Sequence, residues 1–224
     1  MGQNGPMSEN WSATDIYLAD FLIGDDPALD AALEANAEAG LRPIDVAPVQ
    51  GKFLYLLARI RGARRVLEIG TLGGYSAIWL ARAVGESGHV TTLEYEPRHA
   101  EVARANLDQA GVGARVDIRV GAALDTLPHL EGPFDLVFID ADKENNSNYV
   151  REALRLSRPG TVIVVDNVVR AGAISDPEDD DSKVRASREL LAVLAAEPRL
   201  DATALQTVGV KGWDGFALAL VVEQ

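Results

Sequence analysis

The chain has 224 residues, 47% of them apolar and 25% charged, and its 34 Asp and Glu outweigh 21 Lys and Arg to give a net charge of -13. So acidic a surface repels phosphate backbones and anionic membranes, and with no basic patch in the sequence neither nucleic acid nor a membrane is an expected partner. Cysteine does not occur, which excludes disulfides, thiolate zinc sites and cysteine nucleophiles together.

Met1 to Asn10 is polar, with glycine and proline but no apolar signal core, and no later stretch reaches the length of a membrane span. A cytoplasmic protein with a flexible tail at 1–10 is expected. Ser12-Ala-Thr-Asp15 reads as a capping box opening a helix that buries Ile16, Leu18, Phe21 and Leu22. Asp26 as cap and Pro27 in the first turn begin a second helix, running to Gly40. After Pro48 a third helix sets Phe53, Leu56, Leu57 and Ile60 on one face. These helices either pack on the body of the protein, the simpler expectation, or form a lid.

From Arg64 onward strands alternate with helices. Strands are predicted at 65–69, 89–94, 115–120, 134–139 and 161–165, with helices near 75–84, 97–110, 122–129 and 146–157. Such alternation implies a parallel sheet with helices on both faces. A last helix over 182–196 follows the acidic stretch Asp176 to Asp181, which reads as a solvated loop. Two final strands, 202–208 and 216–222, are joined by Gly209-Val-Lys-Gly-Trp-Asp-Gly215, a hairpin-length connection.

Val66-Leu-Glu-Ile-Gly70 is a buried strand running into a turn rich in glycine (Gly70, Gly73, Gly74), and Tyr75-Ser76 begin the helix after it. Glycines there permit positive φ and let a ligand approach the backbone, as in nucleotide sites. The order is G-x-x-G-G and not G-x-G-x-x-G, so a plain strand-ending turn stays open. Glu94 ends the next strand, where an acid in such folds accepts hydrogen bonds from ribose hydroxyls; a helix-capping acid is the alternative.

Phe134-Asp-Leu-Val-Phe-Ile-Asp-Ala-Asp-Lys143 places Asp140 and Lys143 at a strand end, and one strand-helix-strand unit later Asp166-Asn167 end the next strand. Neighbouring parallel strands lie about 4.8 Å apart, so Asp140 and Asp166 can meet. Two such carboxylates repel each other unless a proton or cation lies between them. Two Asp and one Asn are hard oxygen donors suited to Mg²⁺, Mn²⁺ or Ca²⁺, leaving about three octahedral positions for water and substrate; acids capping the following helices are the alternative. Lys143, beside such a cation, is a candidate base, or else a surface lysine. Trp11, Arg170, Lys211 and Trp213 are candidates for an acceptor pocket, with hairpin packing the other reading of Trp213.

Assembled, these residues make the chain resemble the cation-dependent, S-adenosylmethionine-dependent O-methyltransferases of the catechol and caffeoyl-CoA type, in particular their bacterial members, from Trp11 to the final strand. The resemblance rests on Glu68-Ile-Gly70, Gly74-Tyr-Ser76, Glu94, Asp140-Ala-Asp-Lys143 and Asp166-Asn167. It implies a Rossmann-like class I methyltransferase: an α/β fold with a seven-stranded, mostly parallel sheet, the last strand antiparallel, helices on both faces and extra N-terminal helices. The expected organisation is a single domain over 1–224, with helices at 11–62 and the core at 63–224.

The resemblance further implies that Gly70, Ser76 and Glu94, with Gly74 and Asp140, hold the methionine and ribose portions of S-adenosylmethionine. It puts Glu68 and Val46 in the same pocket and Gly121-Ala122 against the adenine. Asp140, Asp166 and Asn167 would bind the metal, Mg²⁺ before Mn²⁺ or Ca²⁺, and Lys143 would deprotonate the acceptor, a catechol-like small molecule. A homodimer is also implied. Ala123 and Leu124 offer the base no polar side chain, and Val-Val-Arg-Ala-Gly after Asn167 lacks the aromatic residue of plant coenzyme A ester enzymes, which speaks against such an ester. Rival readings are a nicotinamide-dependent oxidoreductase, which leaves the second acidic cluster without a purpose, and a non-catalytic metabolite-binding homologue, against which the intact metal and lysine positions argue. A tRNA-modifying relative is disfavoured by the acidic balance.

Overall fold

The computed structural model describes residues 6–222, so residues 1–5 of the expected tail lie outside the described residues. Helix α1 spans Pro6–Leu22, which puts Ser12 and Asp15 inside the helix and not at its cap. Ile16, Leu18, Phe21 and Leu22 are exposed, contrary to expectation. The helix is held on its other side: the buried carboxylate of Asp15 accepts from the backbone N of Val210 at 3.0 Å. What the sequence presents as a capping box is a tertiary anchor to a distant hairpin.

Helix α2 (Pro27–Glu38) starts as predicted, with the Asp26 carboxylate accepting from Leu29 N. Helix α3 (Pro48–Arg61) buries Gly51, Leu54 and Ala58, whereas Leu56 and Ile60 face outward. Its packed face combines closeness with bulk: a Cβ at Gly51 would run into the indole of Trp79, while Phe53 and Leu57 pack against the core on either side of Leu54.

There follow β1 (Arg65–Ile69), α4 (Tyr75–Val84), β2 (His89–Glu94), α5 (Pro97–Gln109), β3 (Val116–Val120), α6 (Ala123–Thr126), β4 (Leu136–Ile139), α7 (Asn146–Arg155), β5 (Val162–Asp166), α8 (Ser182–Ala196), β6 (Leu200–Gly209) and β7 (Gly212–Val221). They form a seven-stranded sheet of order β3-β2-β1-β4-β5-β7-β6, in which β7 runs antiparallel to both its neighbours. The two-residue turn Val210-Lys211 is shorter than the predicted connection, so Trp213 and Asp214 belong to β7.

Alternation along the parallel strands feeds two cores, one on each face of the sheet. Val66, Leu136, Phe138 and Val164 pack with α3 and α4, while Leu67, Val137, Ile139 and Ile163 pack with α7 and α8. Two consequences position the site. The order reverses between β1 and β4, so loops diverge there and leave a crevice at the strands' carboxyl ends. Ile139 pairs with Val165, which sets Asp140 and Asp166 side by side at that edge.

Candidate active site

Beyond β1 the chain turns through Gly70 at φ 100, Leu72 at φ 50 and Gly74 at φ 85. A Cβ at residue 70 would overlap the backbone carbonyl of Asp140, so the ends of β1 and β4 meet only because that position is glycine. Glu94 ties the turn down. Its Oε2 accepts from Thr71 N at 3.1 Å and Leu72 N at 2.8 Å, and its Oε1 accepts from Glu96 N at 3.0 Å and lies 3.2 Å from His99 Nδ1. The capping alternative and the ribose reading thus fall on one carboxylate, which organises the turn and also faces the crevice.

That crevice is a cavity of about 760 Å³, lined on this side by Val46, Gly70, Ser76 and Glu94, and further along by Gly121 and Ala122. Glu68 and Gly74 do not reach it. Gly74 packs against Ala103 of α5. Glu68 points toward α4 and is fully buried, accepting from Ser76 Oγ and Thr92 Oγ1, each at 2.6 Å. Burial pushes its carboxyl from 4.5 up to about 7, outweighing the two hydroxyls that favour the charged form. Its side chain therefore orients Ser76 from behind and does not line the pocket as expected.

On the other side the same cavity is lined by Asp140, Lys143, Asn167 and Arg170. Lys143 is buried, its Nζ donating to Asp140 Oδ1 at 2.7 Å, which removes the surface-lysine reading. Asp166 is buried behind them and accepts from Gln50 Nε2 at 2.8 Å and from Asn167 N at 2.8 Å. Its carboxyl is held well above the ordinary carboxylate range, first by burial and then by the charge of Asp140. Asn167 is left-handed at φ 60, a region that side-chain-bearing residues other than Asn and Asp rarely enter. Among the described residues no three His, Cys, Asp or Glu gather into a metal site; the third oxygen donor at this place is an amide.

Asp45, His99 and Gln50 were not foreseen. Asp45 lines the cavity and accepts from Asn36 Nδ2 at 2.9 Å; burial raises its carboxyl above 3.8. A signal existed only for His99, five residues past Glu94 in the first turn of α5. Gln50 reaches Asp166 across 116 positions of sequence. Of the acceptor candidates, Arg170 lines the cavity, whereas Trp213 donates to Gln206 Oε1 at 3.0 Å beside a separate apolar groove. Lys211 donates to Pro43 O at 3.1 Å, and neither it nor Trp11 lines the cavity.

A carboxylate-lined pocket at a glycine turn, continuous with Asp140, Lys143 and Asn167 and backed by the buried Asp166, suits a cationic cofactor and a polar acceptor placed end to end. Comparison with known proteins points the same way. Residues 22–221 match the family model described as O-methyltransferase. The catechol O-methyltransferase of Mycobacterium tuberculosis is 63% identical over 208 residues, covering 92% of this chain and 94% of the relative. That of Niastella koreensis is 51% identical over 215 residues, covering 94% and 97%. The crystal structure of the O-methyltransferase from Bacillus cereus in complex with SAH superposes with a TM-score of 0.94 at 53% identity, over 96% of this chain and 100% of that one.

Proposed function

The chain belongs to the O-methyltransferase family, and from that premise we propose that it moves the methyl group of S-adenosylmethionine, with a divalent cation, to a hydroxyl of a catechol-like aromatic small molecule. The observation that carries this reading is continuity: Gly70 and Glu94 line the same cavity as Asp140, Lys143 and Asn167. Family membership sets aside the nicotinamide oxidoreductase. The high identity to two catechol O-methyltransferases supports the acceptor class.

The donor set fits a hard divalent cation. Asp140 and Asp166 are neighbouring carboxylates whose mutual repulsion and burial already disfavour charge on Asp166, and Asn167 adds a neutral oxygen. When bound, the cation would acidify a chelated hydroxyl. The cofactor would supply an activated methyl on a cationic sulfonium. The chain's own residues do the rest. Glu94 and the backbone at Gly70 hold the nucleoside end, with Ser76 oriented by Glu68. Lys143 Nζ lies at Asp140, and in its neutral form, which a cation held there would favour over the ammonium, it would take the acceptor's proton. Burial around Val46 and Leu93 keeps water from the reacting atoms, and orientation of two reactants in one cavity supplies on the order of 7–11 kcal/mol of the barrier reduction.

On this reading the chain is one domain and acts in the cytoplasm as a homodimer. The exposed apolar side chains of α1, with Phe21 at 73% and Leu22 at 67% exposure, are the surface such a dimer would cover. No helix among the described residues is long and apolar enough to cross a membrane. The test of function is transfer of a labelled methyl group to a panel of catechols, caffeate and hydroxylated aromatic acids, with and without chelator. Transfer to vicinal diols that chelator abolishes is expected. Chelator-resistant transfer would remove the metal from the reading, and transfer only to isolated hydroxyls would remove the catechol.

A further inference from the structure

The segment leaving β5 holds three of the four non-glycine residues with positive φ among the described residues: Asn167, Arg170 and Ala171. Side-chain-bearing residues stay in that region only where their surroundings over-determine it. Here the surroundings are three consecutive residues of β7. Asp214 Oδ1 accepts from Val169 N at 3.0 Å and from Arg170 N at 2.9 Å, and its Oδ2 lies 3.7 Å from Arg170 Nη1. Gly215 O accepts from Val168 N at 3.0 Å, and Phe216 pairs with Asp166. The backbone is thus fastened before and after Asn167. Asp214 itself does not line the cavity, whereas Asn167 and Arg170 do.

We propose that Asp214 is a positioning residue for the oxygen-donor cluster: by binding the N–H groups of Val169 and Arg170, it holds Asn167 in the left-handed conformation that keeps it on the cavity wall it shares with Asp140. The proposal rests on reading Asp140, Asp166 and Asn167 as cation ligands. A carboxylate is the suitable group, because one oxygen takes two N–H donors while the other faces the Arg170 guanidinium. An amide at the same place keeps the acceptor oxygen and loses the ion pair. An alanine loses both.

The test is calorimetric titration of Mn²⁺ into the full chain loaded with S-adenosylhomocysteine, for wild type, Asp214→Ala and Asp214→Asn. Removing a group that orients a metal ligand weakens metal binding about 10- to 100-fold, and that loss is expected for Asp214→Ala, with a smaller one for Asp214→Asn. Affinity for S-adenosylhomocysteine should be unchanged in both, and saturating Mn²⁺ should restore most of the turnover. Wild-type Mn²⁺ affinity in both variants would overturn the proposal. So would a parallel loss of Mn²⁺ and S-adenosylhomocysteine binding in Asp214→Asn, since that marks general loosening of the fold. Should Asp214→Ala fail to fold, Asp214→Asn decides by the same criterion. If wild type itself takes up no Mn²⁺, the cation reading fails before any variant is compared, and the proposal falls with it.

Discussion

Two loops at the carboxyl edge of the sheet, one after β1 and one after β5, both leave ordinary backbone space, the first mainly with glycine and the second mainly with residues that carry side chains. The first uses Gly70 at φ 100 and Gly74 at φ 85, where side chains would be in the way, and its one left-handed side-chain residue, Leu72 at φ 50, is fastened by Glu94; the second uses Asn167 at φ 60, Arg170 at φ 55 and Ala171 at φ 54 before Gly172 at φ 85. Glycine allows close approach but offers no functional group. A loop that must present an amide and a guanidinium cannot use it, so the strain is borne and offset by hydrogen bonds from another strand. The comparison teaches that backbone doing the binding favours glycine, whereas side chains doing the chemistry favour external fastening.

The sharpest way to break the comparison is to remove a side chain on which the second loop's chemistry is proposed to depend. Asp140→Ala and Asp166→Ala are each expected to lower metal-dependent methyl transfer by about 10³-fold or more, since several kcal/mol of transition-state stabilisation goes with the ion. Initial rates with and without added Mg²⁺ measure it. The converse change, Gly70→Ala, puts a side chain into the first loop. It should abolish S-adenosylhomocysteine binding in calorimetry, because the added Cβ meets the carbonyl of Asp140 and φ is unsuited to alanine.

A milder perturbation is Glu94→Gln, which turns an acceptor toward one pair of its donors into a donor. Cofactor affinity should fall about 10-fold, the cost of leaving a buried group unpaired, with kcat at saturating cofactor far less affected. Smaller still is the effect of Glu68→Gln on stability. The folded carboxyl titrates near 7 against an ordinary 4.5, so the fold favours the protonated form, and stability is lost as pH rises between those values. Urea midpoints at pH 5 and pH 8 should differ in wild type, about 4.5 to 7 being the sensitive window, and should differ less in the glutamine variant, where the raised carboxyl of Asp166 supplies the remaining dependence. Last, Ala171→Gly relieves a left-handed alanine, removing roughly 1–2 kcal/mol of strain against roughly 0.5–1 kcal/mol of added chain entropy, and the small net gain should read as a slight rise in melting temperature with activity unchanged. A loss of activity there would show that the strained loop needs rigidity as well as conformation.

Most of the fold was legible because its signals are local. Strand-forming runs ending in glycine, glutamate or aspartate set β1, β2, β4 and β5 to within a residue or two, and Asp26-Pro27 and Pro97 mark helix starts unaided. The differences fall on α1, where Ile16, Leu18, Phe21 and Leu22 stand outside, and on half of the α3 face, where Leu56 and Ile60 do while Phe53 and Leu57 pack on the core. Periodicity identifies a helix and an apolar stripe but not how the stripe is turned toward its partner, and at α3 the close approach of Trp79 to Gly51 turns Leu56 and Ile60 outward. The site shows the same division: strand-end acids are visible as residue types at fixed intervals, whereas Gln50 and Asp214 act across distances no pattern spans.

Taken alone, the amino-acid order determined the alternation of strand and helix, the glycine turn, the oxygen-donor pair of strand ends and the family likeness, all of which depend on neighbours within one or two elements. Only the tertiary structure decided that Glu68 lies behind the pocket and not in it, that Lys143 is buried against Asp140, and that a β7 carboxylate fastens the loop after β5. The physical reason is that burial and side-chain pairing are properties of packing between segments far apart in the chain, and such packing leaves no periodic trace in either segment.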